Sequence, residues 1–129
     1  MARPGGCAVT AERIISVVED DESLRVALVG LLRASGYAGR GFASSEDYLG
    51  VRDGTCECVV TDIHLPGASG IEMIGLLRAL GDDTPVIVIT ARPEPALERE
   101  AIGRGALCIL RKPVEAKILL DCVVRALGA

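Results

Sequence analysis

The sequence predicts a doubly wound α/β domain in which five parallel strands alternate with five helices. Three observations predict it. The β-branched runs Ile14–Val18 and Pro85–Thr90 are too short for helices and rich in strand formers, so they read as buried strands. Between the apolar runs lie segments with apolar residues at helical spacing, the first stopping at Gly36. Strict alternation of the two kinds implies parallel strands joined by right-handed crossovers, with helices covering both faces of the sheet.

Taken in order, Ile14–Val18 is the first strand, and residues 23–34 carry Leu24, Ala27, Leu28, Leu31 and Leu32 on one helical face behind an acidic start. Residues 37–42 form a weaker, glycine-interrupted strand that suits a sheet edge. A short helix begins at Ser44, a cap candidate with Asp47 three residues on as an imperfect capping box. Residues 58–61 are the third strand, 71–80 the third helix, and 85–90 the fourth strand. In the fourth helix, residues 96–104, Arg92-Pro-Glu-Pro95 delays the start, and Gly103 costs about 1 kcal/mol relative to alanine in a helix interior. A soft helix is expected there. Residues 107–110 and 114–127 supply the last strand and helix. Residues 1–12 read as a flexible tail, and 13–129 as one folded domain.

Composition narrows the function. Half the residues are apolar and a quarter charged, which excludes a disordered chain, and no apolar stretch is long enough to span a bilayer. The first residues lack the apolar run of a secretory signal, so a cytoplasmic address is expected. Five cysteines without a C-x-x-C pair support neither a disulfide framework nor a zinc site, and free thiols are the expectation. A net charge of −4 argues against a nucleic-acid surface on this chain, and no membrane contact is expected.

In doubly wound sheets ligands bind beyond the carboxyl ends of the strands. Here the first strand leads into Glu19-Asp20-Asp21, the third into Asp62, the fourth ends at Thr90, and the fifth runs into Arg111-Lys112. Carboxylates gathered at one edge repel, by about 4 kcal/mol for a pair 4 Å apart at an effective dielectric near 20. A divalent cation relieves this, and Mg²⁺, which takes oxygen ligands and keeps several waters, suits the inventory. Taken singly, Asp20 or Asp21 could equally cap the first helix, Thr90 be an ordinary strand residue and Lys112 a surface charge.

Val18-Glu-Asp-Asp21, Asp62-Ile-His-Leu-Pro-Gly67, Thr90-Ala91 and Lys112-Pro113, in this order and at these strand ends, resemble the receiver domain of bacterial two-component response regulators from about Arg13 onward. Ser69-Gly70, Phe42-x-Ser44-x-Glu46-Asp47 and Ala101-x-x-x-Gly105-Ala106 look like the FixJ-type subgroup, which usually carries a helix-turn-helix output. The resemblance implies a flavodoxin-like receiver fold with strand order 2-1-3-4-5 and a cis bond at Lys112-Pro113. It implies that Asp62 is the phosphoacceptor. Asp21 and Asp62 would ligate Mg²⁺ (or Mn²⁺), with Asp20 acting through water and His64 through its backbone carbonyl, its ring facing solvent. Thr90, the Ala91 amide and Lys112 would bind the phosphoryl oxygens. The implied partners are a sensor histidine kinase or phosphotransfer protein, and a second copy through the last two helices and strand five. The implied process is transcription regulation through a separate DNA-binding domain. Such a chain is a switch rather than an enzyme, acting only on its own aspartate.

One position departs from the pattern. Three residues before the lysine the family usually has an aromatic that moves on phosphorylation; here it is Ile109, and no aromatic follows Tyr48. The signal is then expected to travel by repacking of residues 92–104. Two other functions compete: a receiver-like interaction module that works without phosphorylation, and a Mg²⁺-dependent phosphohydrolase. Ile109 encourages the first and the acidic set opposes it. The second lacks an Asp-x-Asp nucleophile motif, since Asp62 is followed two positions on by His64.

Overall fold

The structure, a computed structural model, describes residues 12–128; the expected tail therefore lies, Glu12 apart, outside the described residues. Its elements run β1 (Ile14–Val18), α1 (Glu22–Ala34), β2 (Ala38–Phe42), α2 (Ser45–Val51), β3 (Cys56–Asp62), α3 (Gly70–Ala79), β4 (Val86–Thr90), α4 (Pro95–Gly103), β5 (Ala106–Arg111) and α5 (Ala116–Ala126). The strands form one sheet in the order β2-β1-β3-β4-β5, every neighbouring pair parallel. The expected alternation, strand order and edge position of β2 all hold.

The alternation of side chains along each strand divides the core between the two faces of the sheet. On one face Ile15, Val17, Val60, Ile87 and Ile89 pack with Leu28, Leu32, Leu119 and Val123 of α1 and α5. On the other Val18, Val59, Val86 and Val88 pack with Tyr48, Met73, Ile74, Leu77 and Ala101 of α2, α3 and α4. β2 is poor in apolar side chains for a steric reason: a Cβ on Gly39 would stand 3.0 Å from the Val29 carbonyl oxygen, so glycine lets α1 lie close on the edge strand.

Several ends differ from the sequence reading. β3 begins at Cys56 and reaches Asp62, so the acidic residue belongs to the strand itself. Ser44 caps α2 by accepting the Asp47 N–H, and the reciprocal capping box forms instead on α3, between Ser69 and Glu72. Gly103 closes α4 instead of interrupting it, so the helix-interior cost expected for it does not apply. α4 lacks a side-chain cap at Glu94 and has Ala101 as its one fully buried residue. α5 starts at Ala116, two residues after the expected start, and the Lys112-Pro113 peptide is cis as expected.

Candidate functional site

The parallel register brings the carboxyl ends of the strands together. Asp62 ends β3 beside Ile89, and Thr90 ends β4 beside Arg111, one residue before Lys112. Asp62 is 6% exposed and held from three sides. Its Oδ1 accepts the His64 N–H at 3.1 Å, its Oδ2 accepts from Lys112 Nζ at 2.6 Å, and its carbonyl oxygen accepts the Thr61 hydroxyl at 2.9 Å. Gly70 opens α3 directly against this strand end, where a Cβ would fall 2.1 Å from the Asp62 carbonyl oxygen. Only glycine fits that approach.

Glu19 follows β1 and is buried to 1% exposure. Its backbone N–H donates to Phe42 and its carbonyl accepts from Arg25 Nη1 at 2.8 Å, so the residue is fixed in place. Oε2 accepts the Asp21 N–H at 3.0 Å, while Oε1 lies 3.0 Å from Lys112 Nζ as an ion pair without hydrogen-bond alignment. Burial pushes the Glu19 carboxyl above its ordinary pKa despite the lysine. For Lys112, burial works to lower the pKa, but the ion pairs with Asp62 and Glu19 outweigh it and the ammonium is held above its usual value.

Carboxylate oxygens of Glu19, Asp20 and Asp62 lie within 4.8 Å of one another, the one such cluster among the described residues. Asp21, expected as a direct metal ligand with Asp20 behind a water, is not part of it. Its Oδ1 accepts the Leu24 N–H at 3.2 Å as the N-cap of α1. Glu19 takes the place beside Asp62 in the cluster, a position that sequence reasoning missed. The available signal was the cap itself, an Asp just before a helical apolar pattern. The donor set fits a hard divalent cation: all oxygen, excess negative charge, and a buried Oε1 without a hydrogen-bond partner.

The remaining expected residues gather nearby. Thr90 is buried and its hydroxyl donates to the Arg92 carbonyl at 3.1 Å. Ala91 follows on the exposed loop. The His64 ring is exposed on one side and meets Glu94 at 2.6 Å, a contact between the loops after β3 and β4 that the sequence did not signal. Ile109 lines a groove of about 590 Å³ together with Pro95, Glu98, Arg99, Ile102 and Gly103. Among the described residues, no helix is long and apolar enough to cross a membrane.

Comparison with known proteins agrees with this arrangement. The family model for the response regulator receiver domain matches residues 15–124. Nodulation protein W of Bradyrhizobium diazoefficiens is 34% identical over 123 residues, covering 95% of this chain and 54% of that protein. Transcriptional regulatory protein FixJ of Rhizobium meliloti is 34% identical over 119 residues, covering 87% and 55%. The chain thus spans about half the length of these curated relatives. Among solved structures, the response regulator StyR superposes with a TM-score of 0.85 at 35% identity, covering 92% of this chain and 60% of that one. FixJ-N superposes with a TM-score of 0.82 at 29% identity, covering 92% and 96%. Fold, strand-end chemistry and sequence agree: the chain belongs to the response regulator receiver domain family.

Proposed function

We propose that Asp62 accepts a phosphoryl group from a phosphohistidine of a sensor kinase or phosphotransfer protein, or from a small acyl phosphate. The carrying observation is the Lys112 ammonium 2.6 Å from a nearly buried Asp62 carboxylate inside an acidic cluster. An Asp62 oxygen forms the new bond to phosphorus in line with the departing group, whose bond to phosphorus breaks. Glu19, Asp20 and Asp62, with the His64 carbonyl, would hold Mg²⁺ or Mn²⁺. When bound, the cation neutralises charge on the phosphoryl oxygens. Lys112 turns from Asp62 to a phosphoryl oxygen, and the Thr90 hydroxyl leaves the Arg92 carbonyl to donate to another, joined by the Ala91 N–H. The chain acts on its own aspartate alone, as a switch.

Several observations support the wider reading. The relatives' names include a transcriptional regulatory protein, and this chain spans about half their length, which fits an output domain elsewhere. Exposed Ile102, Leu107 and Ile118 lie on α4, β5 and α5, and fit pairing of two phosphorylated copies there. A cytoplasmic address for the chain follows from the same reading.

Incubation with Mg²⁺ and acetyl phosphate, followed by intact mass measurement, tests it. One added phosphoryl group is expected, lost in Asp62→Asn and in EDTA, with dimer formation visible by light scattering. Ile109, in place of the family's aromatic, favours a second reading in which the domain signals by protein contact alone. That reading gains if neither acyl phosphate nor a competent kinase modifies Asp62.

A further inference from the structure

The loop from β3 to α3 runs through residues 63–69 and is closed at its base. There the Gly70 N–H donates to the Ile63 carbonyl at 2.9 Å, and the His64 N–H donates to Asp62 Oδ1 at 3.1 Å. Leu65 packs against the core from within the loop. The far side of the loop is held by another element. Both main-chain groups of Ala68 bond to the first turn of α2: the Ser45 hydroxyl donates to the Ala68 carbonyl at 3.0 Å, and the Ala68 N–H donates to Glu46 Oε2 at 2.9 Å. Ser45 is fully buried, whereas Glu46 is exposed. The Glu46 carboxylate rests on Gly67, where a Cβ would stand 2.7 Å from Oε2 and 2.9 Å from Oε1. Gly67 also has a φ of 74°, so any side chain there would be strained and would push the carboxylate aside.

Glu46 stands outside the acidic cluster, and its carboxyl is held below the ordinary value first of all by the Ala68 N–H. An exposed acid on a short helix is ordinarily a solvated charge; this one is committed to a main-chain donor in the loop beside Asp62. The segment Phe42-x-Ser44-x-Glu46-Asp47 thereby divides its work, Ser44 capping α2 and Glu46 holding the loop. The loop needs holding because of what it carries. Mg²⁺ demands near-octahedral oxygen geometry, and a carbonyl on an irregular segment serves as a ligand only when its support is rigid.

We propose that Glu46 is a positioning residue for the cation site: by holding Ala68 it fixes the loop that presents the His64 carbonyl, and so sets the affinity for Mg²⁺. This rests on the reading of Asp62 as a Mg²⁺-dependent phosphoacceptor with the His64 carbonyl among the ligands. Glu46 acts through Ala68 and not by contact with the ion. Its hydrogen bond and its charge are separable: Glu46→Ala removes both, while Glu46→Gln removes the charge and keeps a side-chain oxygen that accepts the Ala68 N–H.

The test is calorimetric titration of the full chain with Mg²⁺ alone. Glu46→Ala should weaken binding about tenfold, the scale on which removing a group that orients a metal ligand acts. Glu46→Gln should bind within about twofold of the unaltered chain, because the acceptor remains. Without Mg²⁺, amides of residues 64–69 should exchange faster in Glu46→Ala and at the unaltered rate in Glu46→Gln. Val123→Ala, a core truncation on the opposite face of the sheet, lowers stability without touching the loop and should leave Mg²⁺ affinity as it was. The proposal is overturned if Glu46→Ala binds Mg²⁺ as the unaltered chain does. It is equally overturned if Glu46→Gln loses as much as Glu46→Ala, which assigns the effect to charge at a distance, or if Val123→Ala does, which assigns it to stability. Absence of Mg²⁺ binding in the unaltered chain instead sinks the reading of the site itself, and this proposal with it.

Discussion

Lys112 Nζ and Asp62 Oδ2 stand 2.6 Å apart at the carboxyl edge of the sheet, and Glu19 Oε1 lies 3.0 Å from the same ammonium. The lysine thus holds in place the oxygen that attacks in the proposed reaction and neutralises part of the acidic excess. Lys112→Met removes both effects. Uptake of phosphoryl from acetyl phosphate should slow at least tenfold, about 1.4 kcal/mol of barrier. Stability should fall by about 1–3 kcal/mol, because two largely buried carboxylates lose a charged partner. Timed mass spectra and urea titration measure the two effects separately, and unchanged uptake would remove the lysine from the reaction.

The choice between Glu19 and Asp21 is testable through the cation alone. Glu19→Gln keeps the shape of a buried side chain while deleting charge from the cluster, and should weaken Mg²⁺ binding by tenfold or more in calorimetric titration. Asp21→Asn preserves a capping oxygen for the Leu24 N–H, since asparagine caps about as well as aspartate. Its Mg²⁺ affinity should stay near that of the unaltered chain. The reverse ranking would restore Asp21 as the ligand.

The same two residues mark where sequence reading stops. β1 and β4 were legible because every residue in Val86–Thr90 and four of five in Ile14–Val18 are buried, which favours runs rich in Ile and Val that Ser16 alone interrupts in β1. Asp62, Thr90 and Lys112 were legible because strand ends in an alternating fold converge. Three acids in a row are different: which one faces Asp62 depends on where the strand stops and the cap begins, and such boundaries shift by a residue or two. β2 was faint because Gly39 answers to the approach of α1, a tertiary demand that local pattern does not carry. The His64 and Glu94 contact joins loops thirty residues apart and has no local signature at all.

Away from the site, Asp82 ties α2 to the turn before β4. Burial alone would raise its pKa, but hydrogen bonds from Thr84 and Arg52 outweigh it and hold the carboxyl below the ordinary aspartate value of 3.8. A lowered folded-state pKa means that the stabilisation is complete above the unfolded value and is lost as pH falls through the folded one. Asp82→Asn should therefore cost about 1–3 kcal/mol at pH 7, with the gap from the unaltered chain narrowing below pH 3.8. Urea titrations at both pH values decide it; an equal cost at each would assign the effect to shape instead of charge.

α4 is the element through which phosphorylation at Asp62 has most room to act. Its N-terminus has no side-chain cap, and its anchors are Glu98 to Arg111 at 2.9 Å and the loop contact of Glu94 with His64. The Thr90 hydroxyl bonded to the Arg92 carbonyl links the phosphoryl site to the lead-in of that helix, so turning the hydroxyl toward a phosphoryl group releases the carbonyl. With Ile109 lining the groove beside α4, the proposed signal takes this loop route in place of an aromatic one. Amides of residues 95–103 should exchange at least tenfold faster than those of α3, which has a full capping box, in the unphosphorylated protein. Phosphorylation should change protection over residues 92–104 while leaving α1 as it was. Thr90→Val, which keeps the β-branched shape and removes the hydroxyl, should abolish that change while Asp62 still takes up phosphoryl; an unaltered exchange response in this variant would place the route elsewhere.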